Sequence, residues 1–171
     1  MAMNLVASTA VSREGNNFWI SKMIPVSAER QVLAKFFSGY VIAALGTAVT
    51  AVILVAFAGV SIPRMLIVVI IGLLASVPMT AFNLLLDLMH PKLVWNNPQE
   101  AMKQNMNGLL GMVVSLILIG ILGAVTGLMI MFALAEPLIY LALAAVCILL
   151  GLVSIKILFA AAKARYDNLE A

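Results

Sequence analysis

Four long apolar runs, at about residues 36–60, 65–89, 107–134 and 138–158, dominate the chain. Each matches or exceeds the roughly 20 apolar residues that a helix needs to cross a bilayer. Backbone groups in lipid must be satisfied internally, so spanning segments are helices or strands of a closed barrel. Barrel strands would alternate apolar and polar residues and turn about every 10 residues. These runs are continuous, so the pattern predicts an all-α polytopic membrane protein with four transmembrane helices.

The breaks between the runs carry their own signals. Ser61-Ile62-Pro63-Arg64 and Glu136-Pro137 are tight connections. Pro78 falls inside the second run and predicts a kink there. The longer break, 90–106, ends in Asn97-Pro98-Gln99-Glu100. Asn97 suits an N-cap, Pro98 the first helical position and Glu100 a capping box. The helix begun there is expected to run on through Lys103, Asn105 and Asn107 into the third span. Ahead of the first span, residues 1–35 mix apolar bulk (Phe18, Trp19, Met23, Ile24) with Arg13, Glu14 and Lys22. That mixture predicts a short amphipathic helix at a membrane or protein surface, ended by Pro25 and followed by a helix capped by Ser27. No basic start followed by an apolar block marks residues 1–17 as a cleavable signal. The chain thus divides into an N-terminal segment (1–35), a four-span domain (36–160) and a polar tail (161–171).

Composition agrees: 64% of the 171 residues are hydrophobic and 10% are charged, against about 45–50% and 25% in soluble domains. The net charge of +3 comes from residues scattered between apolar blocks, which argues against nucleic acid. Four basic residues precede the first span, two lie in the middle loop and three follow the fourth run's core, leaving Arg64 alone opposite. The positive-inside rule then predicts a multi-pass protein of the cell membrane with both termini and the 90–106 loop in the cytoplasm.

Candidate chemistry is sparse. His90 is the sole histidine and reads as an interfacial residue; Cys147, the sole cysteine, reads as a small core residue, so neither a disulfide nor a zinc framework exists within the chain. No phosphate-binding G-x-x-x-x-G-K-[ST] is present. Gly123-Ala-Val-Thr-Gly127 fits close helix packing, within the chain or between chains. Asn83 and Asp87, one turn apart near the end of the second span, are the possible intramembrane polar site, because polar groups at that depth face a bundle interior or an aqueous cavity. Asp87 can equally be an interface residue near Lys92. Intramembrane catalysis needs paired acids, a His cluster or a Ser/Lys pair. No catalytic, metal or cofactor site is therefore expected.

Three stretches carry a resemblance. Ser12-Arg13-Glu14-Gly15 through Phe18-Trp19, Lys22, Pro25 and Ser27 leads to Lys35 before the first span. Asp87-Leu-Met-His-Pro91-Lys92-Leu-Val-Trp95-Asn96-Asn97-Pro98-Gln99-Glu100-Ala101 precedes Lys103-Gln104-Asn105, and Ala164-Arg165-Tyr166 with Leu169-Glu170 closes the chain. In this order they resemble the permease subunits of bacterial type-2 ATP-binding-cassette (ABC) exporters, specifically a permease family of Gram-positive bacteria. The resemblance implies that residues 13–23 are a coupling helix, docking on a separate ATPase subunit through Arg13, Glu14, Phe18, Trp19 and Lys22, an exposed aromatic pair among them. It implies a second cytoplasmic contact at Trp95 and Glu100. It also implies that the four spans are the last four of a six-span half, with residues 1–9 the remnant of the preceding span. Such permeases are much longer, so a second permease chain or an N-terminal portion is an expected partner beside the ATPase and the bilayer. The residues alone also allow an interfacial anchor at Phe18 and Trp19, and a non-transporting bundle that scaffolds or regulates another membrane protein.

Overall fold

The computed structural model describes residues 4–103, 105–166 and 169; expectations placed on 1–3, 104, 167, 168, 170 and 171 lie outside them. A short helix α1 (Leu5–Ser8) is followed by a 310 segment (Ser12–Asn17) and α2 (Phe18–Met23). Then come α3 (Ala28–Ala58), α4 (Ile62–Met89), the short α5 (Pro98–Lys103), α6 (Met106–Met131) and α7 (Glu136–Arg165). Among the described residues every regular element is helical, and α3, α4, α6 and α7 are long and apolar enough to cross a membrane.

The helix ends follow local chemistry. Ile24 is extended (ψ 125°) ahead of Pro25, whose ring disfavours a helical predecessor. Ser27 takes the N-cap position of α3, which starts at Ala28 and is thus about a turn or two longer than its apolar run. Gly59 closes α3 at φ 63°, a left-handed conformation that glycine adopts without steric cost. α4 passes through Pro78 as one helix. Pro78 cannot donate to the carbonyl one turn back, and the Tyr40 hydroxyl donates to Leu73 O at 3.4 Å beside that gap. Asn97 caps α5 as expected, its side chain accepting from Gln99 N at 3.0 Å. The expected continuation of α5 into the third span does not occur. Asn105 is extended (φ −97°, ψ 119°), accepts from Asn107 N and donates to Ala101 O, so it ends one helix's register and caps the next.

α4 is the central helix: it packs on α7, α3, α6 and α1. Its burial is greatest in its second half, at Ser76, Pro78 to Ala81, Asn83, Leu84, Asp87 and Leu88. The apolar core there joins Leu84 and Leu88 to Val32 and Phe36 of α3, Leu158 and Ala162 of α7, and Val11 and Phe18 from the N-terminal segment. α6 is buried at Asn107, Gly108, Gly111, Ser115 and Leu118, and beyond them Leu122, Gly123 and Thr126 line an apolar cavity shared with Met79 of α4 and Leu143 of α7. A side chain added at Gly120, Gly123 or Gly127 would touch nothing within 4 Å. The G-x-x-x-G stripe therefore packs on nothing within this chain, and Gly111 makes the close approach to α4 instead, against Asn83.

The two ends of the bundle differ in charge. Lys35 pairs with Glu14, Lys163 with Glu29 at 2.8 Å, and Arg165 reaches Met89 O, all at the end carrying residues 4–27 and the 90–97 loop. At the opposite end Arg64 meets Glu136 at 3.6 Å, linking the starts of α4 and α7. The first is called the basic end below. α7 continues past its apolar run to Arg165, and Tyr166 turns inward rather than starting a loose tail.

Candidate functional site

The N-terminal segment enters the bundle. α1 packs against α3, α4 and α6, and Asn4, Ala7, Ser8, Thr9, Val11 and Ser12 are all buried. At its inner end Asn4 Nδ2 donates to Gly39 O (3.0 Å) and Thr80 Oγ1 (3.4 Å). A side chain at Gly39 would meet the Ala7 methyl at 2.9 Å, so the missing Cβ makes room for α1. Thr80 lies two helical turns before Asp87, about 10 Å along α4. Residues 4–12 therefore form a strap lying along α4 from the middle of the bundle to its basic end.

Asp87 fastens the strap at that end. It is fully buried and accepts from Val11 N (2.6 Å), Ser12 N (3.0 Å), the Ser12 hydroxyl and Asn107 Nδ2 (3.0 Å). Asn107 also donates to His90 O at 2.7 Å, and the Ser12 hydroxyl accepts from Lys92 N at 2.9 Å. One carboxylate thus joins the strap, the end of α4 and the start of α6. Bonds to a charged acceptor are about twice as strong as neutral ones, and a buried carboxylate is tolerable only with such a full set of donors. Asn83, one turn inward, donates to Ser115 Oγ (3.1 Å) and Met79 O (2.7 Å). The expected polar pair faces the bundle interior, and no buried polar side-chain atom among the described residues lacks a partner.

The residues expected to meet a partner separate into two groups. Trp19 is 56% exposed and Met23 72%, and Ile20 and Ile24 share their outward face. Phe18 is 1% exposed, which corrects the expected exposed aromatic pair. Neighbours in a helix point about 100° apart, and here that turn carries Phe18 into the core while Trp19 stays outside. Phe18 packs on Tyr166 (centroids 5.2 Å apart), whose hydroxyl donates to Gln31 Oε1 at 2.8 Å. Lys22 Nζ sits 5.7 Å over the Phe18 ring. Glu14 is held by Lys35 and accepts from the Ser21 hydroxyl at 2.9 Å, tying α2 to α3. The Arg13 guanidinium donates to Val6 O (3.0 Å) and Thr9 O (3.3 Å), closing back over the strap.

The two loop segments, distant in sequence, meet. Trp95 Nε1 donates to Ser12 O at 2.9 Å, and the indole lies against Gly15. Gly15 has φ 51°, and a Cβ there would sit 2.5 Å from the indole, so both the backbone and the contact require glycine. α5, which carries Glu100, packs on the 310 segment. Ser12, Asn107, Ser115 and Tyr166 complete this arrangement; Ser12 and Tyr166 lie in stretches that carry the resemblance, but the sequence assigns none of the four a role. Asn107 had a signal, lying just where a polar loop enters an apolar run.

Among the described residues no group of His, Cys, Asp and Glu could hold a metal ion. Comparison with known protein families, curated proteins and solved structures gives no match for this chain.

Proposed function

We propose that this chain is the membrane-embedded part of an ATP-driven exporter permease of the type-2 ABC class. In this reading the basic end faces the cytoplasm, as the positive-inside rule asks of the cell membrane. ATP binding and hydrolysis belong to a separate ATPase subunit, and α2 receives its motion. The observation that carries the reading is the two-sided build of α2. One face is open and apolar (Trp19, Ile20, Met23), while the other is fixed to α7 through Phe18 and Tyr166. A lever needs both, a free face to be pushed and a rigid root to pass the push on. The Glu14–Lys35 pair and the Trp95 contact give that root two further attachments.

The test is copurification with the ATPase subunit from membranes of the native host. Replacing Trp19 and Met23 by Ala is expected to lose the ATPase and leave the bundle folded, whereas undiminished copurification overturns the coupling role. The open stripe at Gly120, Gly123 and Gly127 favours a second reading, a non-transporting bundle that scaffolds another membrane protein. Recovery of a membrane protein without any ATPase, lost when bulky residues replace those glycines, favours that reading.

A further inference from the structure

The strap fills a seat that lipid could not. The wall it covers carries Gly39 of α3, Thr80 and Asp87 of α4 and Gly108 and Gly111 of α6, and beside it Asn83, Ser115 and Asn107 are buried and hydrogen-bonded. Hydrocarbon offers no partner to such groups, and each one left unsatisfied costs several kcal/mol. Only the strap, water or a polar solute can occupy the space. The wall's acidic group is Asp87, whose oxygens accept four hydrogen bonds. Asp87 takes part in none of the ion pairs among the described residues, which involve Glu14, Glu29 and Glu136.

Three of the donors that satisfy Asp87 come from the strap: Val11 N, Ser12 N and the Ser12 hydroxyl. Only Asn107 stays with the wall when the strap leaves. Several N–H and O–H donors converging on one carboxylate reproduce what a protonated amine presents, without its charge. A cationic occupant would satisfy the same oxygens and add the Coulomb attraction that the strap lacks. We propose that the seat among α3, α4 and α6 is a binding site for a small protonated amine, and that residues 4–12 are its resident plug, released toward the basic end. The seat belongs to α3, α4 and α6 and exists whether or not an ATPase drives its opening.

The lone cysteine makes the test direct. In a Cys147→Ser background, Ser115→Cys is placed beside the wall, Leu141→Cys on the outward face of α7 (69% exposed) and Trp19→Cys at the basic end. The full-length protein in native membrane vesicles is treated with a membrane-impermeant maleimide from each side. Ser115→Cys is expected to label slowly, only from the side where Trp19→Cys labels, and Leu141→Cys not at all. Ser12→Ala, which loosens the plug, should speed Ser115→Cys labelling about tenfold. Millimolar trimethylammonium, whose N–H can replace one of the strap's donors, should slow it, and Asp87→Asn should abolish that protection. Ser115→Cys as unreactive as Leu141→Cys, or labelling indifferent to trimethylammonium, overturns the proposal. If Ser12→Ala lets Leu141→Cys label as well, the bundle has opened as a whole. The unaltered strap then decides: labelling with protection supports the site, and its absence overturns it.

Discussion

The Asp87 carboxylate and Ser12, 75 positions apart, are joined through both the Ser12 backbone amide and its hydroxyl. The same hydroxyl accepts from Lys92 N, so Ser12 sits between α4 and the loop that follows it. Replacing Asp87 by Ala strands four donors in a buried place. We expect a loss of about 3–5 kcal/mol, the cost of removing one partner from a buried charged network. Ser12→Ala keeps both amides on Asp87 and should cost about 1–3 kcal/mol. Thermal stability in detergent, followed by size-exclusion of a fluorescent fusion, checks the order. Equal losses would show that the hydroxyl, not the carboxylate, holds the network.

Phe18 and Trp19 should part company on substitution. Phe18→Ala empties a buried aromatic site against Tyr166, at a cost of about 3–5 kcal/mol. Trp19→Ala removes an exposed ring and should change stability by less than about 0.5 kcal/mol. A combined variant would confuse folding with partner binding, which is why the copurification test above leaves Phe18 intact.

At Gly15 two penalties coincide. Gly15→Ala must adopt a positive φ and also collide with Trp95. The backbone share is about 1–3 kcal/mol for a non-glycine residue in such a conformation. Adding Trp95→Ala should relieve the collision but not the backbone strain, so the double variant recovers only part of the loss. Full recovery would mean that the backbone there relaxes freely.

The glycines of α6 should fall into two classes. Gly111→Ala pushes against Asn83 and should lower the melting temperature while weakening the Asn83–Ser115 bond. Gly123→Ala and Gly127→Ala touch nothing in this chain, and Ala is the better helix former by roughly 0.8–1 kcal/mol. They should leave the isolated chain as stable or slightly more so. A clear loss at Gly123 would reveal packing against a second chain.

The spans were legible because continuous apolar runs have few structural solutions in lipid. The inward direction of Asn83 and Asp87 was legible for the same reason, since a helix in hydrocarbon hides its polar turn. The Asn97 cap is legible because it is a local pattern, set by Asn97 and the proline after it. The plug was not legible. Leu5 to Ser8 is too short for a periodic signal, and nothing in its composition separates a surface segment from one that enters a bundle. The burial of Phe18 depends on Tyr166, 148 positions later, and the amphipathic reading of its neighbourhood could not choose between two adjacent rings. The break at Asn105 was missed because an asparagine continues a helix as readily as it caps one, until its side chain finds Asn107 N.

The seated strap also sets an order of events during synthesis. Residues 4–12 leave the ribosome before any part of α4 or α6 exists, so their polar groups have no seat at that stage. They can complete their hydrogen bonds in the bundle only once Asp87 and Asn107 are both in place. Nascent chains arrested before α6 should therefore show protease-accessible residues 4–17, and chains arrested after it should show them protected. The last bonds made in assembling this membrane bundle then belong to a stretch translated before the helices that hold it.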